Sequence, residues 1–208
     1  MNHGKAGTFS YNLVVPNVGR PPFRGVSAVI EYSNTGETDI PAQFLTLMSD
    51  NAKFRLTTDE GFENDIFEVM AISSDGPAGI LAPGAHGRIE VLYEPIRVGP
   101  HFYSHFDLFP VGSTNDLLDW DAQSQTLRPV RMGADAWAGT FANFKTQVGT
   151  NTASLRDVLA ADATHLSLLG QRVAKVDTLI HYELLKASDY GNITDRNALG
   201  IYGRGSAG

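Results

Sequence analysis

The stretch R-G-V-S-A-V-I-E-Y-S-N-T-G, residues 24–36, decides how the first half of this chain is read. Val26, Ala28, Ile30 and Tyr32 fall at every second position, and Ser27, Glu31 and Ser33 lie mostly opposite them. A period of two belongs to a β-strand with one buried face. Asn34-Thr35-Gly36 then supplies the turn chemistry that closes it.

The same period recurs on both sides. F-S-Y-N-L-V-V-P (residues 9–16) reads as a strand before it. P-A-Q-F-L-T-L-M-S-D (41–50), A-K-F-R-L-T-T (52–58) and I-F-E-V-M-A-I-S-S (66–74) read as strands after it. Two turn signals follow, D-G-P-A-G and L-A-P-G-A-H-G. In R-I-E-V-L-Y-E-P, Ile89, Val91 and Tyr93 share a face, and H-F-Y-S-H-F-D-L-F-P (101–110) completes the set. About seven short strands at roughly ten-residue spacing predict an Ig-like antiparallel β-sandwich. Helix-length apolar patterns between them are missing, which argues against a parallel α/β sheet.

From about Ala134 the period changes to that of a helix. Trp137, Phe141, Phe144 and Val148 form the apolar stripe of a short helix that Gly149 ends. Ser154-Leu-Arg-Asp157 has capping-box character. Leu155, Leu159, Leu166 and Leu169 make one stripe, and Val173, Val176, Ile180, Leu184 and Ala187 another. We read 152–169 and 172–188 as a helical hairpin folded at Gly170, with one long helix through Gly170 as the alternative. The expected organisation is therefore α+β by segregated domains. A sandwich spans 7–112, a polar connector 113–133 and a helical segment 134–190. Residues 191–208 are a flexible tail or the start of a further β module.

Bulk composition narrows the function. The chain has 208 residues, 42% hydrophobic, which is enough for a packed core. Its net charge of −7, with Arg and Lys scattered, disfavours nucleic acid as a partner. The lack of cysteine removes disulfides, thiolate metal sites and cysteine nucleophiles. No apolar run is long enough for a membrane-spanning helix. M-N-H-G-K-A-G lacks the parts of a signal peptide, and the Gly-rich end suggests a piece excised from something longer.

No complete catalytic signature is present: H-E-x-x-H, G-x-S-x-G, the Walker A pattern and S-x-x-K are all missing. Asp162 and His165 have the Asp-x-x-His spacing of one half of a carboxylate metal site on helices. At 100° per residue Asp162 falls inside the leucine stripe, facing the region of Ile180 and His181 across a hairpin. The simpler expectation is a buried Asp satisfied by His181, Arg172 or a backbone donor. His101, His105 and Asp107 share one strand face, but the two histidines would stand about 13 Å apart, too far for one metal.

Asp116, Asp119 and Asp121 crowd the connector, where calcium would be the cation of choice, but D-x-[DN]-x-[DN]-G is missing. An ordinary solvated loop is expected there, and no cofactor otherwise. Trp120 and Trp137 with Tyr93 and Tyr103 would make a sugar-stacking platform if exposed, and packing groups if buried. We take Trp137, Phe141 and Phe144 as packing anchors of the helical segment, set against the sandwich or the hairpin.

Residues 24–36, D-I-P-A-Q-F-L-T-L-M-S-D-N (39–51) and L-A-P-G-A-H-G-R-I-E-V-L-Y-E-P (81–95), in that order, resemble the Ig-like β-sandwich modules of very large secreted or surface-attached bacterial proteins. A-W-A-G-T-F-A-N-F-K-T-Q-V-G and L-R-D-V-L-A-A-D-A-T-H-L-S-L-L-G are similar to the helical segment that follows such sandwiches. The resemblance covers roughly residues 9–205. It implies a non-catalytic structural, spacing or adhesive module, secreted or on the cell surface, with neighbouring modules of the same polypeptide as partners. It carries over no catalytic residue. A module binding carbohydrate or a surface protein is the first alternative, and a metal-binding or enzyme subunit using the helical polar seam the second.

Overall fold

A computed structural model of the chain describes residues 6–16, 25–56, 61–62, 65–73, 76–96, 104–111, 116–171 and 173–188. The chain divides into two compact units, residues 1–111 and 112–208. The first is built of antiparallel sheets and the second of helices, so the fold is α+β. The expected 191–208 tail, together with Arg172, His101 and Tyr103, lies outside the described residues.

Residues 26–34 form the strand that their alternation predicts. It is β2 (Val26–Asn34), with Ala28, Ile30 and Tyr32 buried. β1 (Phe9–Val14) pairs with one edge of β2, and β8 (His86–Pro95) with the other. β5 (Ala52–Leu56) completes a four-stranded sheet in the order β1-β2-β8-β5. Ile89, Val91 and Tyr93 on β8, and Ala52 and Phe54 on β5, continue the apolar face begun on β2.

A second, three-stranded sheet runs β6 (Ile66–Ala71), β4 (Gln43–Met48), β9 (Asp107–Val111). Its buried residues include Phe44, Leu45 and Leu47 on β4 and Phe67, Val69 and Met70 on β6. The Phe54 and Phe67 rings meet from the two sheets with centroids 6.4 Å apart. The Tyr32 hydroxyl donates to the Ile72 carbonyl at 2.7 Å and accepts from the Ile72 N–H at 3.2 Å, a second link from β2 to the end of β6. At this join aromatic burial and a satisfied hydroxyl act together.

Two short strands, β3 (Ile40–Pro41) and β7 (Ile80–Leu81), pair with each other and were not expected. Two residues are too few to show a period. β7 lies between the two turn signals. The second of these is a tight turn closed by Ala85 N–H to Ala82 O at 2.9 Å, with Pro83 and Gly84 at its centre. Gly84 has φ +78°, the left-handed conformation that this turn type demands at that position.

Asn34 fastens the sheet unit internally. Its side chain is 1% exposed and its amide nitrogen donates to Thr38 O and Leu81 O, each at 2.8 Å. Its Oδ1 accepts from Gly36 N–H at 3.0 Å and Thr8 N–H at 3.2 Å. One amide thus joins the approach to β1, the turn after β2 and β7. Gly36 is buried in that turn, and a Cβ there would strike the backbone of residues 6–8.

The helical unit has four helices among its described residues: α1 (Trp120–Leu127), α2 (Ala134–Val148), α3 (Thr152–Leu168) and α4 (Val176–Ala187). The 113–133 stretch, expected as a polar connector, therefore contains a helix. Trp120 is the one buried residue of α1, so no apolar period marks it in sequence. Trp137, Phe141, Phe144 and Val148 are all buried on α2, as their spacing predicts. Trp120 meets Phe144 edge-on at 5.1 Å, and Trp137 stacks on Phe141 at 5.0 Å. The indole N–H groups are satisfied by Gly149 O (2.7 Å) and Ser124 Oγ (3.0 Å).

The capping box of α3 lies three residues earlier than expected. Asn151 Oδ1 accepts from Ser154 N–H at 2.8 Å, so Ser154 is the third helical residue and not the cap. An antiparallel bridge between Leu117 and Asn151 fixes that start. Gly170, at φ +80°, ends α3: its N–H donates to Ser167 O, and Gln171 N–H donates to Leu166 O, both at 2.9 Å. The hairpin reading holds over the single long helix.

Asn34→Ala should destabilise the sheet unit by about 3 kcal/mol, because it strands buried backbone donors and acceptors. Circular dichroism melts of the full chain would register this as a fall in the β transition. An unchanged transition would mean that the four bonds are dispensable.

Candidate functional site

The buried ionisable groups of the helical unit converge at one place. Asp162, on the inner stripe of α3, is 6% exposed, and Glu183, one turn from the end of α4, is 1% exposed. Lys186 donates to Asp162 Oδ1 at 2.7 Å and hydrogen-bonds Glu183 Oε1. The two carboxyls thus share one ammonium, which lies 5.5 Å from the Tyr182 ring centroid. Asn143 on α2 donates to Ala187 O at 3.2 Å, tying a third helix to the same end of α4.

Burial penalises ionised carboxylates, and two like charges compete for one counter-ion. Glu183 responds most strongly. Burial, with a hydrogen bond to Asp162, pushes its carboxyl up to about 7, against the opposing pull of Lys186. For Lys186, burial acts to lower the ammonium's proton affinity, but the bonds to Asp162 and Glu183 outweigh it and the net shift is upward. The arrangement can therefore hold a lysine charged while Glu183 binds and releases a proton beside it.

The structure separates the pair singled out in sequence. Asp162 is buried and His165 is exposed. Asp162 Oδ1 finds its donor on α4, as a seam carboxylate requires, but the donor is Lys186. His181 instead binds its own helix, with Nδ1 2.8 Å from Asp177 O and 3.3 Å from Asp177 Oδ1. The hydrogen bond to Asp177 raises the His181 imidazole and lowers the Asp177 carboxyl.

The connector aspartates do separate jobs. Asp119 caps α1 by accepting from Ala122 N–H at 3.0 Å, Asp121 pairs with Lys145 at 3.3 Å, and the Asp116 carbonyl accepts from Thr152 N–H at 2.9 Å. His105 sits 3.5 Å from Asp107. Among the described residues no three His, Asp or Glu side chains are grouped to hold a metal ion. Trp120, Trp137 and Tyr93 are buried, so they make packing surfaces and not a stacking platform. Trp137, Phe141 and Phe144 pack as anchors against one another and Trp120.

A shallow trough crosses the outer face of the four-stranded sheet. Its floor is the paired backbone of Tyr11, Tyr32 and Gly87. One wall is the row Ser10, Ser33, His86 and the other the row Asn12, Glu31, Arg88. Glu31 and Arg88 pair at 3.4 Å within their row. The rows stand two residues apart along the strands, about 7 Å. No sequence motif marks this trough, because it exists only once the register of three strands is set.

No family model, curated protein or solved structure matches this chain.

Removing the shared ammonium with Lys186→Met should cost about 3 kcal/mol, since it leaves two buried acids without a cation. Tryptophan emission during thermal unfolding would read the loss, both tryptophans being in this unit. No change would show that the carboxyls find other partners.

Proposed function

We propose that this chain is a non-catalytic structural module, a spacer with an adhesive role, from a very large secreted or surface-attached bacterial protein. On this reading the sheet unit is an Ig-like β-sandwich. The carrying observation is where the polar chemistry goes. The Asn34 side chain spends all four of its described bonds on internal backbone, and Asp162 and Glu183 close on Lys186. These are the fittings of a module whose task is to keep its shape. The order of strand and helix motifs, resembling that of such modular proteins, supports the extracellular setting, and neighbouring modules are the natural partners.

An antibody to this chain, applied to fractionated source cells, tests the proposal. A band far larger than 22.5 kDa in the medium or at the surface is expected. A cytosolic band near that mass would sink it.

The outer-face trough favours a second reading, a carbohydrate-binding module. Hydroxyl, amide, carboxylate, imidazole and guanidinium groups in two rows about 7 Å apart offer the mixed donors and acceptors that a sugar ring presents. Titrating the isotopically labelled full chain with a panel of neutral mono- and disaccharides should shift the amide signals of residues 10–12 and 86–88 on this reading. Asn12→Ala should weaken that response. Unmoved signals at saturating sugar would remove this reading.

A further inference from the structure

We propose that the seam between α3 and α4 is a proton-operated latch: one proton held between Asp162 and Glu183, above the single ammonium of Lys186, keeps α4 docked, and its loss loosens α4. The geometry supplies the reason. Both carboxyls bond the same nitrogen, so they lie no further apart than two hydrogen-bond lengths. Asp162 Oδ2 is buried with no hydrogen-bond donor among the described residues. With both acids ionised, two buried negative charges face one positive charge and repel each other across the seam. With one proton present, charge balances and the two carboxyls can hydrogen-bond to each other.

Among the described residues, the other groups near the seam do not restore that balance. From α2 comes the neutral Asn143 amide. Lys145 of the same helix is bound to Asp121 on α1. On α3, Arg156 pairs with Asp157, and on α4, His181 is held by Asp177 one turn nearer the N-terminus. The Tyr182 ring lies beside Lys186 and carries no charge at neutral pH. Asp162, Glu183 and Lys186 therefore form one electrostatic unit.

The direction follows from linkage. Glu183 has a higher proton affinity folded, about 7, than its ordinary 4.5. Its contribution to stability is complete below about pH 4.5 and is lost as pH rises through about 7. His181 is also raised on folding and acts in the same sense, so it must be controlled for. Asp177 is lowered and acts in the opposite sense, losing its contribution only as pH falls below the ordinary carboxylate range.

The test uses the full chain, because Trp120 and Trp137 report the helical unit alone. Tryptophan-detected melts would be run on wild type, Glu183→Gln and His181→Asn between about pH 5 and about pH 8. In wild type Tm should fall by about 5 °C or more across that range. Glu183→Gln, which carries a permanent donor in place of the proton, should flatten the slope, and His181→Asn should keep most of it. A flat wild-type profile, or equal slopes in wild type and Glu183→Gln, would overturn the latch. If Glu183→Gln fails to fold, carbon-detected titration of wild-type side-chain carboxyls decides. One carboxyl titrating near neutrality is expected, and all titrating in the ordinary acid range would overturn it.

Discussion

Two acids buried against a single ammonium set the terms for the helical unit. Asp162 and Glu183 are removed from water by the same apolar packing that holds α2, α3 and α4 together. Each would be costly there alone, by several kcal/mol. Lys186 makes the arrangement tolerable because its amine reaches both carboxyls while its side chain stays about one-third exposed. The sheet unit meets the same constraint in neutral form. Asn34 is as deeply buried, but an amide carries both donors and acceptors, so four backbone partners satisfy it without a counter-ion.

The parts of the fold legible in sequence are those where burial has a period. Val26 to Tyr32, Ile89 to Tyr93 and Trp137 to Val148 each repeat often enough to fix both element and face. β3 and β7 have two residues each, and α1 buries one side chain, so neither leaves a pattern. Caps are similarly local. Asn151 and Ser154 are both residue types that suit a helix start, and the Leu117–Asn151 bridge beside the true cap has no signature in sequence.

The candidate site was half legible. Helical geometry placed Asp162 on the buried stripe without any tertiary information. Its partner was missed through loop length. A hairpin folded at Gly170 sets Asp162 opposite residues near 180, whereas the actual connection runs from 169 to 175 and α4 begins at Val176. That longer loop moves the facing positions on α4 toward its C-terminus, to Glu183 and Lys186. Leu169 is exposed for the same reason, lying past the last turn of α3.

Leucine against leucine does not hold a helix pair in register. Leu155, Leu159 and Leu166 on α3, and Leu179 and Leu184 on α4, are chemically alike and recur at intervals of one to two turns. A slip of one turn would still set apolar side chains against apolar side chains. It would also carry Asp162 about 5 Å from Lys186 and leave a buried carboxylate without its cation. The polar triad therefore discriminates between registers that the apolar residues leave nearly equal, in the way a single polar core position does in coiled coils. An all-apolar seam of the same volume would be as stable or more so. It would lack both that discrimination and any dependence on protons, and the two properties share one cause, the burial of more acid than base between α3 and α4.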